Sequence, residues 1–252
     1  MPKKILLPIL VAALFNIFCE SSSMAYNPGK HFLMGSKAAF TNGNQWIWAS
    51  GATLTAVALI YDQDIYKHYE GKPREKFPEW VGGNMGTGIP GAVIALATMG
   101  YGWSKENAKA LGAGTSHAEA LVATFIYTTA LKASVNRNRP PEYHPGSTET
   151  NRFNASFPSG HTSTAFATAG NLMATCGPWV GVPALALAGI TGYSRVQQRA
   201  HYLADVIFGA TLGYTMGVGF YEHHNSSEDL GWQVLPIFED RDSWKVTVSR
   251  TF

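Results

Sequence analysis

The stretch "FPSGHTST", residues 157–164, decides how this sequence is interpreted. It runs directly into "TSTAFATAGNLMA", residues 162–174, whose alanine-rich composition predicts a helix. Ser159 stands where an N-cap is expected, and Gly160 lets the backbone approach a ligand closely. A helix start carries unpaired N–H groups and a positive dipole end, so the stretch predicts either a simple capped turn or an anion site.

Two other segments concentrate polar residues. In "KASVNRNRPP", residues 132–141, Lys132 and Arg139 are seven positions apart, so a helix places both cations on one face. Pro140 is predicted to end that helix, because a residue before proline avoids helical geometry. In "SRVQQRAHYLAD", residues 194–205, His201 and Asp205 are four positions apart and are predicted to be neighbours on a helix.

The spacing within the last segment also predicts a turn. Arg195 and His201 are six positions apart, which does not align them on one continuous helix. We therefore expect Ser194 and Arg195 to lie in a turn, with the helix beginning nearer Arg199 or Ala200.

Taken singly, each segment has a structural interpretation: cations at a helix end, a helix cap, and a hydrogen-bonded His–Asp pair. In combination, three cations, two histidines, a carboxylate and a glycine at a helix start are what an oxyanion site requires. Outside this set, Arg137 and Arg199 are predicted to be exposed charges, with assistance in phosphate binding as the alternative. His144 and Arg152 lie in a loop where specificity is set. The adjacent His223 and His224 do not share a helix face, which argues against a metal site.

Together the three segments resemble the signature of the type 2 phosphatidic acid phosphatase superfamily. The matching positions are Lys132, Arg139-Pro140, Pro158-Ser159-Gly160-His161, Ser194-Arg195, His201 and Asp205. They cover about 25 residues, and the layout of residues 117–221 resembles the family's helical core. The leader and length resemble exported bacterial class A acid phosphatases, whereas the weakly polar helices resemble membrane-bound lipid phosphatases.

The resemblance implies a role for each matched residue. His201 is the nucleophile that forms a phosphohistidine, Asp205 fixes the tautomer of His201, and His161 protonates the leaving alcohol. The remaining positions are implied to bind phosphate: Lys132, Arg139, Ser159, the Gly160 amide and Arg195. The resemblance implies neither a metal nor another cofactor, because the cations neutralise the phosphoryl charge.

The body of the chain predicts an all-α fold, a bundle of about six core helices with the phosphate site at one end. The apolar stretches are 46–61, 89–103, 117–135, 162–175, 179–193 and 202–221. Residues 62–88 are predicted to form a long polar connection. The last nine residues alternate weakly and predict one strand.

The N-terminus resembles a secretory signal. Lys3 and Lys4 precede an apolar run, residues 5–18, and small residues precede Tyr26, so residues 1–25 are predicted to be a signal peptide. Residues 26–252 then form a single domain in which Cys176 is the only cysteine, so no disulfide forms within the chain.

The chain's location has two interpretations. The leader predicts an exported, periplasmic protein. The apolar stretches are mostly short for membrane spans, and the mean hydropathy of −0.04 favours a protein that is soluble or attached to a membrane surface. An integral membrane protein is the alternative.

The charge of the chain excludes one class of function, and the family resemblance implies another. A net charge of +2 without a basic run argues against nucleic-acid binding. The family resemblance implies a metal-independent phosphohydrolase acting on phosphate monoesters or pyrophosphates, either small or lipid-linked. The alternatives are an enzyme like the vanadate-dependent haloperoxidases, or a non-catalytic lipid- or anion-binding protein.

Overall fold

Eight α-helices make up most of the chain that the computed structural model describes, which comprises residues 28–141, 152–225, 233–240 and 243–249. The helices are α1 (Pro28–Phe40), α2 (Asn44–Tyr69), α3 (Lys76–Met85), α4 (Ile89–Ser104), α5 (Ala108–Val135), α6 (Gly160–Cys176), α7 (Pro178–Gln197) and α8 (Leu203–Asn225). A short 3₁₀ helix, Arg152–Asn154, precedes α6. The predicted all-α bundle is confirmed.

The six predicted apolar stretches correspond to α2 and to α4 through α8. The prediction of a polar connection over residues 62–88 is wrong, because α2 continues to Tyr69 and α3 follows. Asp62 lies within α2 although its side chain is charged. Its carboxylate is buried and accepts hydrogen bonds from Arg137 and from the Ala204 amide. Helix α1 was not predicted. The predicted signal peptide lies outside the described residues.

The C-terminal tail holds two strands where the sequence predicted one. Strand β1 (Gln233–Asp240) pairs antiparallel with β2 (Ser243–Ser249), with Val234 opposite Val248. The second strand was missed because only the last nine residues show a visible alternation.

The interior of the bundle is built from small residues. Fourteen of the twenty buried apolar residues in the described part of the chain are alanines. Three glycines spaced four apart, Gly209, Gly213 and Gly217, place one face of α8 directly against the backbone of α6. Such small-residue stripes let two helix backbones approach closely, as in helix pairs within membranes. This contact aligns the start of α6 with the start of α8.

Large apolar side chains point outward instead. The exposed ones on the four outer helices include Leu54, Val57 and Ile60 of α2, Val93 and Leu96 of α4, Val122 and Phe125 of α5, and Val182 and Leu187 of α7. A soluble monomer rarely exposes apolar side chains on this scale. One helix of the described chain, α8, has both the length and the mean hydropathy for a membrane span, and 67% of its apolar window is buried.

Three exposed tryptophans lie near the ends of helices. Trp46 begins α2, Trp103 ends α4 and Trp179 begins α7, with exposed fractions of 73%, 45% and 92%. All three lie at the end of the bundle remote from residues 194–205. Tryptophan is enriched at the two membrane–water interfaces, so this band resembles one such interface.

We predict that Gly213→Ala destabilises the bundle. The added methyl group would overlap the carbonyl oxygen of Ser163 on α6, a backbone atom that cannot move aside. Overpacking of this kind costs roughly 1–3 kcal/mol. The measurement is Tm of the purified protein.

Gly189→Ala is the matched control, because a methyl group at this exposed position of α7 meets no described atom within 4 Å. Its Tm is expected to equal or slightly exceed that of the wild type, since alanine favours a helix. Equal Tm values for both variants would contradict the close α6–α8 contact.

Candidate active site

Four helix ends meet at one end of the bundle and bring the three polar segments together. Helices α5 and α7 end there, and α6 and α8 begin there. Gly160, the first residue of α6, faces α5, and a Cβ at this position would lie 3.9 Å from Lys132 Cε. The start of α6 is therefore directed toward the cations, as an anion site requires.

The chain around His201 differs from the prediction. Ser194 and Arg195 lie in the last turn of α7, not in a turn between helices, and α8 begins only at Leu203. The bend lies at residues 198–202, where Arg199 adopts a left-handed conformation with φ 57°. The Arg195 carbonyl oxygen accepts the amide of His201 at 3.2 Å, which fixes this bend.

His201 is buried between a cation and a carboxylate. Its Nε2 lies 3.2 Å from Arg139 Nη1, and its Nδ1 lies 3.7 Å from Asp205 Oδ2 and 3.4 Å from Ser156 Oγ. Because a guanidinium can only donate, the Arg139 contact assigns the lone pair to Nε2 and the proton to Nδ1. Burial lowers the pKa of His201 to about 3, although Asp205 opposes that shift. The ring is therefore neutral at ordinary pH, with Nε2 carrying the nucleophilic lone pair.

Asp205 is fully buried and accepts hydrogen bonds from several sides. The Tyr202 amide donates to Oδ2 at 2.9 Å, the Ser156 hydroxyl donates to the same oxygen, and Arg137 Nη1 donates to Oδ1 at 2.8 Å. These donors hold the carboxylate in its ionised form and fix its orientation toward His201.

Arg137 is not the exposed charge that was predicted. Its second nitrogen, Nη2, donates to Asp62 Oδ2 at 2.7 Å, and its guanidinium lies 4.4 Å from the centre of the Tyr202 ring. Asp62 itself accepts from the Ala204 amide at 3.0 Å. Asp62, Arg137 and Ser156 thus support Asp205, and the sequence analysis missed this role for all three.

The two remaining cations of the first motif donate to neutral oxygens. Helix α5 ends at Val135, with Asn136 in a left-handed conformation, so Arg139 does not share a helix face with Lys132 as predicted. Arg139 instead reaches the site from an extended segment, donating to the carbonyl oxygens of Asn154 and Ala200 at 2.8 and 2.9 Å. Lys132 Nζ donates to the Ala155 carbonyl oxygen. The segment that follows α5 is therefore fixed against residues 154–155.

His161 lies in the first turn of α6, within reach of all three motif cations. Burial, followed by the charges of Arg195, Arg139 and Lys132, lowers the pKa of His161 to about 4. The free site therefore favours a neutral His161. A bound anion offsets the three positive charges, and binding it raises the pKa of His161.

Comparison with known proteins agrees with this geometry. Residues 113–228 match the model of the PAP2 superfamily. This segment, just under half of the chain, therefore resembles a PAP2 domain. The resemblance inferred from the three motifs is confirmed, and every motif residue lies within the matched segment. Asp62 lies outside it.

Two known proteins are similar to this chain, one in sequence and one in structure. A lipid A 1-phosphatase of Porphyromonas gingivalis is 42% identical over 65 residues, which are 25% of this chain and 15% of that protein. The match therefore spans a small part of the relative's length. The crystal structure of a transmembrane PAP2-type phosphatidylglycerolphosphate phosphatase from Bacillus subtilis matches with a TM-score of 0.54 and 22% identity. It covers 75% of this chain and 98% of that one. This match shows a shared fold.

Ser159 is placed differently from the other motif residues of the PAP2 domain. It is fully buried, and its hydroxyl lies 2.9 Å from Thr162 Oγ1. Its amide donates to the Asp205 carbonyl oxygen at 3.0 Å, which joins the starts of α6 and α8. A contact between the Ser159 hydroxyl and phosphate stays a prediction.

Three other polar residues were named from the sequence. Arg199 is buried rather than exposed as predicted, and donates to the carbonyl oxygens of Tyr69, the last residue of α2, and of Lys72, three positions further on. Arg152 is exposed in the 3₁₀ helix. His144 lies outside the described residues.

We predict that Arg137→Met lowers kcat without abolishing folding. The change leaves Asp205 and Asp62 without their shared cation, so the carboxylate no longer holds His201 in one orientation. Loss of one hydrogen bond to a charged group costs about 1.5–3 kcal/mol, which corresponds to a roughly 10- to 150-fold fall in kcat. The measurement is phosphate release at saturating substrate.

Arg74→Met is the matched control, because Arg74 pairs with Glu79 on the surface. The kcat of this variant is expected to equal that of the wild type. Arg137→Lys is expected to recover part of the loss by restoring one charge. Full activity in Arg137→Met would show that Asp205 is positioned without it.

Proposed function

We propose that this protein is a phosphatase that hydrolyses a phosphate monoester of a lipid through a phosphohistidine at His201. The observation that carries the proposal is the placement of His201, with Nε2 beside Arg139 and Nδ1 toward Ser156 and Asp205. A buried neutral imidazole held in this tautomer is ready to attack an electrophile bound next to the cation.

The phosphoryl group binds at the start of α6. The Gly160 amide and the helix dipole attract it, and three cations neutralise its oxygens: Lys132, Arg139 and Arg195. Arg139 exchanges its contact with Nε2 for a phosphate oxygen, which frees the lone pair. Arginine suits this step because its fork binds two phosphate oxygens at once.

The reaction proceeds in two displacements. Nε2 of His201 forms a bond to phosphorus while the bond to the leaving oxygen breaks, and His161 gives its proton to that oxygen. His161, now neutral, accepts a proton from water, whose oxygen attacks phosphorus and releases inorganic phosphate and His201. Asp205 stabilises the positive charge on the His201 ring in the intermediate.

A lipid substrate is supported by the outer surface of the bundle. The apolar side chains of α2, α4, α5 and α7 face outward, and α2 and α5 have 26 and 28 residues, about 39 and 42 Å in length. A hydrocarbon core is about 30 Å thick, so these helices are long enough to cross it. The two named relatives are phosphatases of lipid A and of phosphatidylglycerolphosphate. We therefore propose that the bundle is embedded in a membrane, the alternative that the sequence left open.

An apolar cavity beside the site suits part of an acyl chain. It has a volume of about 540 Å³ and lies between α2, α7 and α8. Three of its lining residues, Ile65, Val196 and Leu203, also surround a narrow void that reaches His201. We assign the lipid tail to this cavity, with the headgroup phosphate at the start of α6.

The first test combines a substrate panel with an active-site variant. We expect phosphate release from lipid A or phosphatidylglycerolphosphate in mixed micelles to exceed release from a water-soluble aryl phosphate. His201→Ala is expected to abolish release from every substrate. Acid quenching of the wild type with a radiolabelled phosphate ester is expected to trap an acid-labile phosphohistidine.

His161→Ala serves as the comparison for His201→Ala. It is expected to form the labelled intermediate from an aryl phosphate, whose leaving oxygen needs little protonation, and to accumulate it because hydrolysis lacks a base. With an alkyl leaving group, formation of the intermediate is expected to slow by about 10²–10⁴-fold. Retention of most activity in His201→Ala, or equal slowing of intermediate formation with both leaving groups in His161→Ala, would refute these assignments.

A second test concerns the membrane. We expect the full-length protein to stay in the membrane pellet through high salt and alkaline carbonate and to be released only by detergent, because its outer helices contact lipid. Immunoblotting of each fraction measures this. Release by carbonate would instead support the soluble or peripheral periplasmic protein, and the predicted cut before Tyr26 is then read by N-terminal sequencing.

A further inference from the structure

Three polar side chains converge at the end of the bundle remote from the candidate active site. His31 lies in the first half of α1, Glu119 lies within α5, and His224 lies in the last turn of α8. Each offers one ligand atom, and these three atoms lie within 4.8 Å of one another. Three separate helices thus contribute one metal-ligating side chain each.

The cluster is partly enclosed by the bundle. His224 Nε2 lies 2.7 Å from Glu119 Oε2, and these side chains are only 13% and 17% exposed. The His31 ring lies 4.9 Å from the His224 ring and 4.8 Å from the His223 ring, centre to centre. His223 therefore packs against His31 and limits its rotation, while His224 faces the carboxylate.

The cluster is well separated from the phosphate site. Glu119 precedes Lys132 by 13 residues on α5, about 20 Å along the helix. Asp205 and His224 are 19 residues apart on α8, about 28 Å. An ion held here cannot touch the phosphoryl group.

We propose that His31, Glu119 and His224 bind a divalent cation of the zinc class. Two imidazole nitrogens and one carboxylate oxygen are a ligand set that zinc accepts, with a water completing four-fold coordination. Imidazole disfavours magnesium and calcium, which prefer oxygen ligands. The ion replaces the direct His224–Glu119 hydrogen bond and joins α1 to α5 and α8.

The sequence argument against a metal site considered only His223 and His224. For that pair it stays a prediction, and His223 is not among the three proposed ligands. The other two ligands lie 105 and 193 positions before His224 in the sequence, on helices that pack beside α8. The expected role is structural, since the ion fastens the N-terminal helix to the bundle.

The test uses the full-length protein without a histidine tag, stripped with a chelator and titrated with zinc chloride by calorimetry. We expect one ion per chain, and we expect His31→Ala and His224→Ala to weaken binding by more than about 100-fold, beyond the loss typical of an outer-shell change. Substituted cobalt is expected to give the visible absorption bands of tetrahedral coordination. Zinc is also expected to raise the Tm of the wild type and not that of the variants.

Three further variants sharpen the result. His68→Ala removes an exposed histidine of α2 and is expected to bind zinc like the wild type. Glu119→Gln preserves side-chain shape and is expected to lose most affinity, so a folding defect in the histidine variants does not decide the test. Unchanged zinc affinity in Glu119→Gln and His224→Ala, or loss of the ion in His161→Ala instead, would overturn the proposal.

Discussion

The buried carboxylate of Asp205 is the constraint on which the candidate site depends. Removing one partner from a buried charge typically costs 3–5 kcal/mol, so every donor to this group is held in place. Those donors come from three separate parts of the chain: Arg137 after α5, Ser156 before α6 and the Tyr202 amide before α8. Through Arg137 the network also reaches Asp62 on α2. One carboxylate thus fixes four segments around His201.

The helix packing serves the same arrangement. The starts of α6 and α8 lie side by side because Gly209, Gly213 and Gly217 let the two backbones touch. Larger residues here would separate the two helix starts and move Gly160 away from His201. A small-residue interior leaves the large apolar side chains on the outside, and this surface is the basis for placing the bundle in a lipid environment.

The electrostatics of the site link substrate binding to proton transfer. Three cations gather beside His161 and keep its ring neutral until an anion arrives. His201 is kept neutral chiefly by burial and is available to attack. The protonation of His161 therefore depends on the bound phosphate, as its proposed role of proton donor requires. His201 is already neutral before the phosphate binds, as its proposed role of nucleophile requires.

Much of the site was readable from the sequence alone. Motif spacing and the family resemblance predicted Lys132, Arg139, Gly160, His161, Arg195, His201 and Asp205 as site residues, and the structure brings them together at one end of the bundle. Hydrophobic segments gave six of the eight helices, since their composition and length are local properties. The glycines of α8 are visible in the sequence, but the helix that they contact is not.

Only the tertiary structure decided which polar residues support the site. Arg137 and Arg199 were assigned to the surface, because an arginine in a polar segment is ordinarily exposed. Asp62 and Asp205 instead hold Arg137 half-buried, and Arg199 is buried against the carbonyl oxygen of Tyr69 on α2. Asp62 belongs to no motif. It lies 75 residues before Arg137 in the sequence, and only helix packing brings its carboxylate to the Arg137 guanidinium. The meeting of His31, Glu119 and His224 has the same cause. Local composition determines helices and a spaced motif determines chemistry, but contacts between helices depend on how whole surfaces pack, and no short stretch of sequence contains that information.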